Sequence, residues 1–207
     1  MKPVVQLVSA WSEFAEIYPE GDLQTFCLYQ IEKGKASSKT ESNRSYKTGG
    51  LLRIIGRLSS AFGLYHRAAM TDMGLPSPES FFYLNSINML GEVRKTELIN
   101  YQFAETTTGM AAILKLVEEG MISERSDPTD ARARLIKITD KGKKKLKECT
   151  ERAVKVKEMF FNNLDDSAID LCTHLLSKTE QEHSKLAVQV KNKPFEEMYA
   201  EVMGKSG

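Results

Sequence analysis

The chain has little of what catalysis and metal binding usually require. Its three cysteines, Cys27, Cys149 and Cys172, are odd in number and widely spaced, with no Cys-x-x-Cys pair. That excludes a disulfide framework and a thiolate metal knuckle, and it fits a reducing cytoplasm. The three histidines, His66, His174 and His183, are scattered. Cys172 and His174 stand two apart on a predicted helix, so their side chains diverge rather than pair as ligands. No nucleophile–base set assembles from these residues, so no enzyme, metal or cofactor is expected. No apolar run approaches the ~18 residues of a helical membrane span, and no membrane partner is expected. The opening MKPVVQLVSAW is interrupted by Gln6 and then turns acidic, which does not read as a signal peptide.

The chain also lacks an overall charge excess, with a formal net charge of +1 over 207 residues. The distribution is less even. Arg132 to Lys147 holds Arg132, Arg134, Lys137, Lys141, Lys143, Lys144, Lys145 and Lys147 against the single acid Asp140. A concentrated basic segment on a nearly neutral chain is a nucleic-acid footprint, although a lysine run is also the ordinary composition of a solvated helix face.

That segment closes the most organised stretch, Lys95 to Leu146: short helix, turn, second helix ending at glycine, strand, charged loop, strand, new helix. In the second helix, Glu105 to Glu119, the residues Met110, Ile113, Leu114 and Val117 recur at i, i+3, i+4 and i+7, which predicts one apolar face. Gly120 follows where a left-handed C-cap is wanted. Thr106, Thr107 and Thr108 open the helix. Their hydroxyls suit either helix capping or contacts with phosphate and base edges. Met121 to Arg125 and Arg134 to Ile138 are β-prone runs around the polar loop Ser126–Ala133, and they read as a hairpin whose loop projects. Arg132 lies near its tip with Asp130 two residues away, placed to brace it in an extended pose. Such an arginine suits the narrow, negative minor groove, the alternative being a solvated ion pair of little energetic weight.

These residues resemble the winged helix-turn-helix of the MarR family of bacterial transcription regulators. The resemblance rests on Gly120-Met121-Ile122, Asp127-Pro128-x-Asp130-x-Arg132 and Ile138-Thr139-x-x-Gly142, three short patterns at the family's spacing. Thr96–Ile99 and Thr107–Gly109 add to it, and it spans about residues 51–190. The sequence departs from the family at Ala111 and Ala112 within the recognition helix, and at Glu124, where an arginine is common.

The resemblance implies a mainly α fold with a small β-hairpin wing: a winged helix-turn-helix (76–142) with long dimerisation helices (51–75 and 143–207). It implies a homodimer on double-stranded, pseudo-palindromic operator DNA, switched by a small-molecule effector. The candidate DNA contacts are Arg94, Lys95 and Thr96 at the start of the first helix, Thr106, Thr107, Thr108, Met110 and Lys115 on the second, and Arg132 and Arg134 on the wing. Asp130 is the wing brace. Met110 is also a candidate core residue. A winged-helix adaptor that binds a protein through a face including Ala111 and Ala112 is the alternative function.

Residues 1–50 are expected to form a helical extension and a polar linker. Leu7, Trp11, Phe14 and Ile17 predict a helix ending before Pro19. Asp22 is placed to cap a second one over Leu23–Ile31, and Gly34–Gly50 reads as the linker. A long helix is expected over Leu51–Thr71, with apolar Leu51, Ile54, Ile55, Leu58, Phe62, Tyr65 and Ala69. The next should be capped at Ser77 and run to about Leu90. Thr139 should cap a helix to about Phe161 with a heptad-like seam of Leu146, Cys149, Ala153, Val156 and Phe160. A last long helix should run from the Asp165–Ser167 break toward Val190.

Overall fold

The computed structural model describes residues 2–36 and 41–204. Two compact units divide it, Met1–Leu58 and Ser59–Gly207. In the first, α1 (Pro3–Ile17) and α2 (Leu23–Ala36) form a hairpin. Proline at the start of α1 costs no hydrogen bond, because a first-turn N–H has no helical acceptor. Asp22 Oδ1 accepts from the Thr25 N–H at 2.8 Å and caps α2, as its sequence position predicts. Phe14 and Phe26 are buried and meet edge to face at 5.4 Å, with Trp11 4.9 Å from Phe26. Gly21 lets the two helices turn this tightly. A Cβ there would stand 2.5 Å from the Phe14 ring.

The linker expected at Gly34–Gly50 is corrected. Residues 34–36 end α2, and 41–50 are already helical within α3 (Glu41–Met70); positions 37–40 lie outside the described residues. The polar composition of 41–50 does not exclude a helix, because helix formation there needs no apolar face when the segment continues a strong helix.

The second unit holds the end of α3, then α4 (Ser80–Leu90), β1 (Val93–Arg94), α5 (Lys95–Tyr101), α6 (Thr106–Glu118), β2 (Ile122–Ser126), β3 (Arg134–Ile138), α7 (Asp140–Phe161), α8 (Asp166–Val190) and α9 (Phe195–Gly204). The fold is mainly α with a three-stranded antiparallel sheet in the order β1-β3-β2. Ile122 pairs with Ile138 and Ser126 with Arg134, so β2 lies one residue later than the expected Met121–Arg125 run, and Ser126, expected in the loop, joins the ladder. The two-residue β1 was not expected. Val93 pairs with Ile136 and Arg94 with Leu135, and a strand this short carries no periodicity to read.

The core beneath the sheet joins Leu84 and Ile87 of α4, Leu98 and Ile99 of α5, Ile113 and Leu116 of α6, and Ile136 of β3. α4 begins at Ser80, two residues later than the Ser77 cap implies. Ser77 instead starts a tight turn, its carbonyl accepting from the Ser80 N–H at 3.0 Å. His66 is buried against this turn. Its Nε2 lies 3.0 Å from the Pro78 carbonyl, which only accepts, so Nε2 carries the proton; the ring stacks on Phe82 at 4.2 Å. Thr139 and Asp165 cap α7 and α8 through the backbone N–H groups of Gly142 and Ala168. Of the expected α7 seam, Leu146, Cys149 and Val156 are buried and Ala153 and Phe160 half-buried. Burial pushes the Cys149 thiol up, away from the reactive thiolate.

Candidate nucleic-acid interface

The second helix of the helix-turn-helix, α6, is seated by a glycine. Gly109 is buried, and a Cβ on it would stand 2.7 Å from Ile99, so α5 and α6 touch only because residue 109 has no side chain. The core face of α6 is Gly109, Ile113 and Leu116, with Met110, Ala112 and Val117 partly buried against it. This corrects the expected stripe at one position. Leu114 points outward at 50% exposed, while Leu116 is fully buried. Both readings satisfy helical periodicity, and the position of the neighbouring elements chooses between them.

Thr106, Thr107 and Thr108 are exposed on the first turn of α6. Glu105 is the N-cap residue, and its side chain makes no capping bond. Thr107, Thr108 and Lys115 share an open cleft of about 430 Å³ with Ala111 and Ala112. Thr106 lines neither this cleft nor its neighbour toward the wing.

The wing is built from the three motif patterns. Gly120 has φ +65°, the left-handed cap that reverses the chain out of α6. Met121 and Ile122 are buried under the hairpin. Thr139 Oγ donates toward the carbonyls of Gly120 (2.8 Å) and Met121 (3.0 Å) and accepts from the Gly142 N–H. Gly142 permits the approach of β2 to α7: a Cβ would stand 2.1 Å from the Met121 carbonyl oxygen.

The loop of the wing is organised by Asp127. Its buried carboxylate accepts from the Thr129 hydroxyl (2.7 Å) and the Thr129 N–H (2.8 Å), and binds the Arg94 guanidinium at 2.7 Å. Those bonds to Thr129, reinforced by Arg94, hold its pKa at about 2 against the desolvation that opposes them. Asp130 does brace the loop, but not through the Arg132 guanidinium as expected. Its Oδ1 accepts from the Arg132 backbone N–H at 3.0 Å, because a side chain two residues upstream reaches the main chain first. The Arg132 side chain is exposed and its guanidinium forms no ion pair among the described residues.

The candidates at the start of α5 are more engaged than their sequence suggests. Arg94 ties β1 to the wing through Asp127 and through the Thr129 hydroxyl at 3.2 Å. Lys95 is largely buried in a 2.5 Å pair with Glu124, the residue that departs from the family pattern. Arg134 reaches Glu124 at 3.7 Å and the Ser126 hydroxyl at 2.6 Å. Arg94, Lys95, Thr96, Met110, Arg132 and Arg134 nevertheless line one open cleft of about 330 Å³, together with Asp130. The structure thus gathers elements forty residues apart in the chain into one basic hollow between helix and wing. Among the lysines of α7, Lys143 pairs with Asp140 and Lys145 with Glu148, while exposed Lys144 and Lys147 form no ion pair among the described residues.

No group of His, Cys, Asp and Glu suited to a metal ion occurs among the described residues. No described helix is long and apolar enough to cross a membrane.

Residues 77–142 match the family model of the winged helix DNA-binding domain. The structure is similar to a MarR protein from Peptoclostridium difficile, with 26% identity, TM-score 0.62, and coverage of 68% of this chain and 92% of that one. It is similar to Escherichia coli MarR complexed with operator DNA, with 19% identity, TM-score 0.58, and coverage of 63% and 93%. It is also similar to Bordetella bronchiseptica BpsR, whose DNA binding is regulated by 6-hydroxynicotinic acid, with 19% identity, TM-score 0.56, and coverage of 65% and 98%. Comparison with the curated proteins finds no match.

Proposed function

We propose that this chain, which carries a winged helix-turn-helix of the MarR type, is a non-enzymatic transcriptional regulator that binds operator DNA as a homodimer. The observation that carries the reading is the basic hollow between α6 and the wing. Three elements supply it with four cationic side chains, and Arg132 is exposed beside it with no ion pair among the described residues.

In this reading Thr107 and Thr108 present hydroxyls to the major groove, where short donor–acceptor side chains read base edges or anchor phosphates. Arg132 enters the adjacent minor groove, whose narrow form concentrates negative potential. Arg94 serves as a strut. With Asp127 it fixes the angle of the wing to α5, so the two reading elements stay in register. Lys144 and Lys147 neutralise phosphates. A two-fold dimer would present two such units about one helical turn apart, which calls for a pseudo-palindromic site. The apolar residues exposed along the long helices support a partner of the same kind: Leu171, Leu175 and Leu176 of α8, and Leu51, Ile54, Ile55 and Leu58 of α3, each within its own unit.

Switching by a small molecule is supported by the same architecture. A ligand that prefers one separation of the two wings shifts the population away from DNA-competent dimers. The test is fluorescence anisotropy of the full chain against DNA from upstream of its own reading frame across a salt series. Sequence-selective binding that weakens steeply with salt is the expected result. Absence of DNA binding at every salt concentration, with capture of a protein partner, would replace this reading by the adaptor.

A further inference from the structure

A second cleft, of about 480 Å³, lies away from the basic hollow, between the turn that leaves α5 and the C-terminal half of α8. Glu97, Asn100 and Tyr101 line it from α5 and Phe103 from the turn after it; Glu180, Ser184 and Val188 line it from α8. The last three recur at four-residue steps, so one face of α8 is turned to the helix-turn-helix. Leu171 lies ~180° round the helix from Glu180, while Leu176, four residues before Glu180, stands at the end of this same face.

Two features set the cleft apart. The first is Phe103. It takes φ +51° at the C-terminus of α5, where its N–H donates to Asn100 O (3.0 Å) and the Ala104 N–H donates to Ile99 O (3.1 Å). This is the left-handed helix cap that glycine or asparagine occupies without strain, and a bulky aromatic there carries a backbone cost. Burial does not offset that cost, since Phe103 is 53% exposed and Tyr101 beside it 48%. The second feature is charge. The cleft is lined by two carboxylates and no cationic side chain. Ser184 Oγ donates to Glu180 Oε1 at 2.6 Å, and Glu97 Oε2 accepts from the Arg94 N–H at 3.2 Å; each carboxylate keeps a second oxygen without a hydrogen bond among the described residues. The Lys191 ammonium already rests on the Ala104 carbonyl beside this turn at 2.5 Å.

Exposed ring faces next to free carboxylate oxygens are the chemistry that recognises an organic cation with an apolar body. We propose that this cleft is a binding site for an amphiphilic organic ammonium, its charge held by Glu97 and Glu180 and its body against Tyr101 and Phe103. Such a ligand would bridge α8 to the turn that leads into α6. The site therefore gives an effector class to the regulator proposed above, but its existence does not depend on that reading.

The test is calorimetric titration of the full chain, without DNA, with benzyltrimethylammonium and, in parallel, with benzoate. Saturable binding of one cation per chain and none of benzoate is expected. Glu180→Gln and Phe103→Asn should each weaken the cation by roughly 3- to 30-fold. Asparagine tolerates the left-handed backbone, so the Phe103→Asn chain should melt no lower than its parent. No saturable binding of the cation, equal binding of benzoate, or unchanged affinity in both variants overturns the proposal. So does a Phe103→Asn chain that melts lower but binds as before, which would assign the ring to packing. Because no DNA is present, failure here leaves the regulator reading intact, and failure of operator binding leaves this site intact.

Discussion

At the scale of single residues, Arg132 and Asp127 divide the work of the wing. Arg132 is exposed, and among the described residues only its backbone N–H is engaged, so its side chain contributes little to the folded chain. Arg132→Ala should weaken DNA binding by ~1–3 kcal/mol in an anisotropy titration while leaving the melting curve unchanged. Asp127 is the opposite case, buried and bonded on both oxygens. Its folded pKa of about 2 lies below the ordinary 3.8, so its charged form stabilises the wing. That contribution is fully present above the ordinary value and is lost as pH falls through the folded one. An NMR or hydrogen-exchange acid titration should therefore show the wing loosening between the two values cited, and Asp127→Asn should remove that step. Glycine acts at this scale too. Gly142→Ala forces a Cβ onto a backbone oxygen at 2.1 Å, which nothing flexible can relieve. It should cost at least ~1–3 kcal/mol in urea denaturation.

At the scale of elements, the hairpin is held at its ends as well as along its ladder. Thr139 joins the end of β3 to the start of α7 and to the turn after α6 with three hydrogen bonds. Thr139→Ala should cost about 1–2 kcal/mol by chemical denaturation, toward the upper part of the range for a lost cap because the Gly120 carbonyl loses its donor as well, while the Met121 carbonyl keeps the residue 139 backbone N–H. The short β1 gives the sheet its third strand and carries Arg94 to Asp127, thirty-three residues away. This explains why Arg94 is better read as a strut than as a free phosphate contact. Arg94→Ala should shift wing resonances as well as weaken DNA, whereas Arg132→Ala should do only the second.

At the scale of the whole molecule, charge is local and apolar exposure is extensive. The free lysines of α7 act through the phosphate backbone in the proposed complex. Lys144→Glu should thus weaken specific and nonspecific DNA alike and flatten the salt dependence of binding. A loss confined to one DNA sequence would contradict that role. The exposed leucines of α8 belong to no core among the described residues. Sedimentation velocity should find a dimer, and Leu171→Lys with Leu175→Lys should drive it toward monomer.

What the sequence determined by itself was the local chemistry. Left-handed Gly120 and the Asp22, Thr139 and Asp165 caps all follow from interactions spanning a few residues, so their signatures stand in fixed spacing along the chain. The winged helix-turn-helix was legible for that reason, and the candidate contacts were drawn from its pattern. Tertiary structure decided which candidates are free. Lys95 is taken by Glu124 and Arg94 by Asp127, both pairs joined across about thirty residues by β1 and the sheet. It also decided that Leu116 and not Leu114 enters the core, and that Phe103 and Tyr101 face Glu180 of a distant helix. Periodicity states that a helix has an apolar face; only the neighbours that pack on it state which residues that face includes, because burial is a relation between elements and not a property of one.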